Sequence, residues 1–198
     1  MTKNLANFLL LAAGCLIATA LCGTAQAQKP TTLPEGTLDI ALQYDTLSAN
    51  SVTGNRFWMQ GGSLQVHGLL HRGFGLVGDL SGEHTSNIHN TGVDLDMVTA
   101  LVGPRYTWQP KKRSFSGYGQ ILVGEANGFN STFPGPTGAT SSAGNYAYQL
   151  GGGVDYRVSR SWSIRIAHLD WLRTQLSNST TQTQNNLRIG AGVVLHYR

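Results

Sequence analysis

NNLRIGAGVVLHYR, residues 185–198, ends the chain. From Leu187 onward every second residue is apolar or aromatic: Leu187, Ile189, Ala191, Val193, Leu195 and Tyr197. Between them lie Arg188, Gly190, Gly192, Val194, His196 and Arg198. Successive side chains of a strand point to opposite faces, so this stretch predicts a strand with one oily face and one small or charged face. A helix would place its apolar residues three and four apart, and internal glycines would weaken it.

The period of two recurs. Leu38 to Asp45, Leu64 to His71, Phe74 to Ser81, Val98 to Trp108, Tyr146 to Arg157 and Trp162 to Ala167 all alternate in the same way. In FSGYGQILVGEAN (115–127) two phases fit, one with Ile121 and Val123 on the apolar face and one with Tyr118 and Leu122. After Ile166 the apolar phase slips and resumes at Leu169 and Trp171, which predicts a β-bulge near Ala167-His168. Eight strands result. Tight turns at His71-Arg72-Gly73, Gln109 to Ser114 and Ser159-Arg160-Ser161 alternate with long connections. The long ones run from Ser48 to Arg56, Gly82 to Val93, Asn127 to Asn145 and Arg173 to Asn186, and are rich in Ser, Thr, Asn and Gly. Short turns at one end and long loops at the other describe an up-and-down antiparallel barrel.

Alternation alone does not say which face points in. A soluble barrel of the lipocalin kind turns its apolar side chains inward; a membrane barrel turns them out. Three features favour the second arrangement. The polar face carries Gly, Ala, Gln, Ser and single charges but almost no Lys or Glu, unlike a water-facing strand. Aromatic residues gather at strand ends. Tyr106, Trp108, Tyr156, Trp162 and Tyr197, with Phe74 and Phe115, lie by the short turns, while Tyr44, Trp58, Tyr148 and Trp171, with Tyr146, lie toward the long loops. Such belts suit two membrane interfaces. Finally, the non-apolar face holds both signs of charge at mid-strand: Asp39, Asp79 and Asp155 against Arg105, Arg157, Arg165 and Arg188. In a narrow lumen these groups can pair, whereas an Arg on a lipid face would cost about 2–4 kcal/mol. The expected fold is therefore all-β, an eight-stranded antiparallel transmembrane β-barrel, whose last strand must close on the first to leave no unpaired edge in lipid.

The other end of the chain sets the compartment. Lys3, an apolar run from Phe8 to Ala20 and Ala25-Gln26-Ala27 read as a signal peptide cleaved after Ala27. That run is too short to span a bilayer as a helix, which needs about 20 residues. The domain reading is a signal at 1–27, a linker at 28–36 and the barrel at 37–198. Cys15 and Cys22 both fall in the signal, so the remaining chain has no disulfide, thiolate metal site or cysteine nucleophile. Basic residues are scattered apart from Lys111-Lys112-Arg113, and no basic face for nucleic acid stands out. No phosphate-cradling loop or paired-carboxylate site appears, so no cofactor is expected. Metal binding has little support: His67 and His71 are four apart on one strand, and His84 and His89 fall in a loop.

The signal, the eight alternating strands and the closing segment together resemble the small OmpA-type barrels, the outer-membrane β-barrel domain family. YAYQLGGGVDYRVSRSWSIRIAHLDWL (146–172) carries most of the likeness, with GLVGDLSG (75–82) and LVGPRYTW (101–108) adding to it. The resemblance implies a location in the bacterial outer membrane and contact with membrane lipid and lipopolysaccharide. It also implies recognition by the barrel assembly machinery through the C-terminal strand, although Tyr197 is penultimate here where the family ends on its aromatic residue.

An eight-stranded barrel is only wide enough for side chains to fill it. The expected function is thus structural or surface-interacting, through the long loops and an unknown surface ligand, over a plugged lumen. A narrow channel or passage for hydrophobic compounds is the alternative. An enzymatic reading ranks lower. Some barrels of this size are lipid A deacylases with a His and a Ser two positions apart on a lipid-facing strand. RIAHLDW (165–171) is similar at His168, but Asp170 stands at the serine position, and Ser163 and Ser177 lack the spacing. No catalytic residue is assigned.

Overall fold

A computed structural model describes residues 36–50, 55–110, 114–135, 138–177 and 182–197. The signal-peptide reading, the linker apart from Gly36, the basic turn 111–113 and Arg198 lie outside the described residues.

Eight strands close a barrel among the described residues: β1 (Leu38–Asn50), β2 (Arg56–His71), β3 (Phe74–Thr85), β4 (Leu95–Trp108), β5 (Phe115–Phe129), β8 (Ala143–Arg157), β9 (Trp162–Thr174) and β10 (Gln184–Tyr197). Two further short strands, β6 (Phe133–Gly135) and β7 (Gly138–Thr140), pair within the loop between β5 and β8. Neighbours are antiparallel, and the ring closes by β10 pairing with β1 from Leu38↔Tyr197 to Ser48↔Leu187. The closing segment thus satisfies the backbone of β1, as a barrel without an edge requires. No helix among the described residues is long and apolar enough to cross a membrane.

The strands run further toward the loop end than the alternation suggested. β1 continues to Asn50 and β3 to Thr85, so the connections there shrink to 51–55 and 86–94. At the other end the turns are tight. Arg72 and Gly73 both adopt positive φ, 50° and 88°, which matches the right-handed twist of a two-residue hairpin. The turn before β9 is held by the Ser159 hydroxyl, which accepts hydrogen bonds from the backbone N–H groups of Ser161 and Trp162.

The apolar faces point outward. Leu42, Leu150 and Ile166 are 53%, 52% and 51% exposed, and their strand neighbours Gln43 and Gln149 are buried. On β5 the ambiguity resolves in favour of Ile121 and Val123 outside, with Tyr118 and Leu122 inside. So continuous an apolar exterior belongs in hydrocarbon, since water-facing patches rarely exceed a few hundred Å².

The expected bulge forms one residue earlier than its predicted position. Pairing of β9 with β8 jumps from Val154↔Ala167 to Asp155↔Arg165, and its pairing with β10 jumps between Gly190 and Gly192. Ile166 and Ala167 both face out, and the phase then turns His168 and Asp170 inward.

Candidate functional site: the filled lumen and the loop-end mouth

The inward phase builds three layers. Nearest the short turns, Asp39 on β1 stands between two imidazoles: His196 Nδ1 lies 2.6 Å from Oδ1 and His67 Nδ1 lies 3.3 Å from Oδ2. His196 Nε2 in turn lies 2.7 Å from the Ser163 hydroxyl. Ser163, His196 and Asp39 are therefore linked in the order of a nucleophile triad. Ser163 is only 2% exposed, however, and Asp39 divides its oxygens between two histidines. The array is packed as an interior hydrogen-bond cluster, with no open face beside Oγ.

The middle layer is ionic. Arg165 donates from Nε and Nη2 to the two oxygens of Asp155, at 2.8 and 3.1 Å, and from Nη1 to Gln65 and Gln43. Arg105 donates to Gln120 and Gln65. The guanidinium carbons of Arg105 and Arg165 lie 4.2 and 4.4 Å from the Tyr118 ring centroid, so one ring attracts both cations while the Gln65 side-chain oxygen accepts from each. Arg188, wholly buried, reaches Glu83 at 2.8 Å, Asp79 at 3.5 Å and the Ser81 hydroxyl at 2.6 Å. His168 Nδ1 meets the Tyr118 hydroxyl at 2.8 Å, and its Nε2 meets Asp170, to which Gln149 also donates.

The glycine run on β8 makes this crowding feasible. A Cβ on Gly151 would sit 1.7 Å from Asp170 Oδ1 and 2.5 Å from the Leu169 carbonyl. One on Gly153 would sit 2.7 Å from the Tyr118 hydroxyl.

Above the ions the filling turns apolar. Leu47, Met59, Met97, Leu122 and Leu172 interdigitate across the barrel, and Phe133 folds back from the β6–β7 hairpin to join them. Over this layer the loops enclose a cavity of about 340 Å³. Phe57, Ile88, Val93, Leu95, Phe133 and Leu176 form its apolar walls, with Asn50, His89 and Gln184 among the polar groups at its edge. Its walls are braced. Gln184 Oε1 accepts from the Leu176 N–H, and its Nε2 donates to the Leu176 carbonyl. The 86–94 loop is held by Asn87, whose N–H donates to Asp94 and whose Oδ1 accepts from the Gly92 N–H.

Several expectations change at this resolution of detail. Asp39 pairs with histidines rather than with an arginine. Arg105 meets glutamines and a tyrosine ring, not a carboxylate. Arg157 sits half-buried at the turn end, its backbone N–H donating to the Ser114 carbonyl. Arg165 pairs with Asp155 and Arg188 with Asp79 in the lumen. His168 is buried in the lumen, not on the lipid face, because the bulge shifts the phase. His67 and His71 do not share a face: a register shift between Leu69 and His71 leaves His67 buried and His71 exposed.

Asp45, Glu83, Asp170, His67, His168, His196 and Tyr118 all join the filling without having been singled out for it. Extending the inward phase across every strand would have found them. The aromatic residues lie on the outer face, with Tyr44, Trp58, Tyr148 and Trp171 toward the loops and Tyr106, Trp108, Tyr156, Trp162 and Tyr197 toward the turns. Phe74–Tyr106 and Phe115–Tyr156 form ring pairs at 4.8 and 4.9 Å in the turn-side belt. Eight residues separate Tyr148 from Tyr156, about 26 Å along the strand and about 20 Å across the membrane at a usual tilt.

No family model matches the chain, and no curated protein matches its sequence. Solved structures do share its fold. Neisserial surface protein A matches with a TM-score of 0.65 at 11% identity, covering 82% of this chain and all of that one. Ail, the attachment invasion locus protein of Yersinia pestis, matches at 0.57 and 13% identity, covering 83% of this chain and all of its own. The outer-membrane protein OprG of Pseudomonas aeruginosa matches at 0.54 and 10%, covering 83% of this chain and 97% of its own. The fold is that of these small outer-membrane barrels, and this chain shares with them a closed eight-stranded ring, here with an apolar exterior.

Proposed function

We propose that this chain is a bacterial outer-membrane barrel that acts at its loop-bearing end, as a plugged scaffold whose loops bind a surface ligand. The observation that carries this reading is the contrast along the axis. Below, charges and aromatic rings fill the lumen; above, braced loops enclose an apolar cavity of about 340 Å³. Such a cavity, apolar with a few polar groups at its edge, has the make-up of a small-molecule site. It suits an alkyl or aryl group presented from outside. Among proteins of the same fold, one is named for attachment and invasion and has been solved with the heparin analogue sucrose octasulfate. Passage of hydrophobic compounds is the second reading. The same cavity favours it, but a compound moving down the axis meets Arg188 and Glu83.

The test combines two measurements on protein reconstituted in lipid nanodiscs and planar bilayers. A photoreactive octyl diazirine is expected to crosslink saturably to Phe57, Leu95 or Leu176, less so in Leu176→Trp, and the bilayers are expected to show no steady large openings. Crosslinks confined to lipid-facing positions would remove the cavity from the account, and stable large conductance would remove the plug.

A further inference from the structure

The outer wall at the loop end is divided by charge. Around the half formed by β2, β1, β10 and β9, every strand carboxylate points into the lumen: Asp39, Asp45 and Asp170 are all buried. The outward-facing ionic residues of that wall near the loops are arginines, Arg56 on β2 and Arg173 on β9, both exposed. On the opposite half, Asp96 on β4 and Glu125 on β5 stand outward instead. The Asp96 carboxyl is hydrogen-bonded there with His84 and Asn130.

The two arginines are three strands apart in the wall but converge. Arg56 reaches sideways over β1, donating from Nη1 to the Ser48 carbonyl and hydroxyl, both at 3.2 Å, and from Nη2 to the Asn185 carbonyl on β10 at 3.3 Å. Asn185 is the register partner of Arg173. Paired residues of adjacent antiparallel strands lie about 5 Å apart, so both guanidinium groups can meet over Asn185. The Arg173 side chain makes no hydrogen bond or ion pair with other described residues. Two residues toward the membrane from each arginine is an outward tryptophan, Trp58 below Arg56 and Trp171 below Arg173, with Ser48 and Leu187 between them in the same register row and Tyr44 four positions further down β1. Tryptophan and tyrosine mark the headgroup level. The arginines therefore stand about 5 Å above it, two strand rises further out along strands at the usual tilt.

We propose that the Arg56–Asn185–Arg173 surface docks the phosphate of a phosphorylated glycolipid of the lipid A class in the loop-side leaflet, with its acyl chains lying along Trp58, Leu187 and Trp171. Guanidinium groups suit a phosphate because their planar N–H forks match its oxygens. Charge complementarity selects the lipid: the wall offers two cations and no carboxylate, and the rings beneath fit an acyl chain better than a free ion. The inference rests on the membrane placement with loops outward, but not on the cavity of the preceding section.

Native mass spectrometry of the refolded barrel tests it, using bisphosphorylated lipid A and the same lipid with both phosphates removed. The wild type should retain the phosphorylated form preferentially. Arg173→Gln, which removes no contact among the described residues, should weaken that binding about fivefold, the scale of one basic residue at an anionic surface. Arg56→Gln should do the same, the double variant should lose the preference, and Arg160→Gln at the turn end should keep it. Heat-modifiable gel mobility confirms that each variant is folded. An unchanged preference in the folded double variant overturns the proposal, as does equal loss in Arg160→Gln. Folding into phosphatidylcholine vesicles without any phosphate preference removes the docking site alone, whereas a barrel stable in buffer without detergent removes the membrane placement beneath it.

Discussion

Replacing Arg188 with methionine removes the one cation that Glu83 and Asp79 share in a fully buried site. The guanidinium lies 2.8 Å from Glu83 and also donates to Ser81, Thr99 and Gln149, so the variant strands two carboxylates and loosens three polar partners. Breaking one side of a buried ion pair costs about 3–5 kcal/mol, most of it the penalty of leaving charge unpaired in a low dielectric. With a urea slope of about 2 kcal/mol/M, the unfolding midpoint should fall by about 2 M. Much of the cost comes from stranded charge rather than lost contacts, so adding Glu83→Gln to Arg188→Met should restore about 1–3 kcal/mol, the coupling expected of residues in contact. The assay is reversible urea unfolding in lipid vesicles, followed by tryptophan fluorescence and gel mobility. A loss under about 1 kcal/mol for Arg188→Met would refute the reasoning. So would a double variant no more stable than the single, because the carboxylates would then not depend on the arginine.

Two other substitutions probe the packing and the orientation of the wall. Gly151→Ala drives a methyl group onto Asp170 and the Leu169 carbonyl and should destabilise by about 1–3 kcal/mol; Gly68→Ala, whose Cβ meets nothing within 4 Å, should unfold at nearly the wild-type urea concentration. Ile121→Arg, at a position 58% exposed on the outer face, should cost about 2–4 kcal/mol for a charge near the bilayer midplane, and vesicle folding as stable as wild type would place that face outside the hydrocarbon.

What the sequence by itself determined was phase and closure. Leu187 to Tyr197 alternate because one side of β10 meets lipid and the other meets the lumen, and the slip after Ile166 announced a bulge that the pairing contains. Those features are local, set by backbone geometry repeating every two residues, so a linear reading recovers them. Which inward group meets which is not local. Arg188 finds Glu83 and Asp79 across the barrel, more than a hundred residues away in sequence, because strand stagger brings distant strands to one level. Asp39 instead takes the two histidines that stand directly opposite it, His67 on β2 and His196 on β10, so strand register rather than opposite charge supplies its partners. The loop-end apolar layer was partly hidden: Leu47 faces Met59 across the β1–β2 pair, but Leu172 on β9 joins them only when β10 closes on β1. Arg56 and Arg173 likewise become one surface only when β10 folds back against β1, since a charge pattern in the chain carries no distance between strands that closure alone makes adjacent.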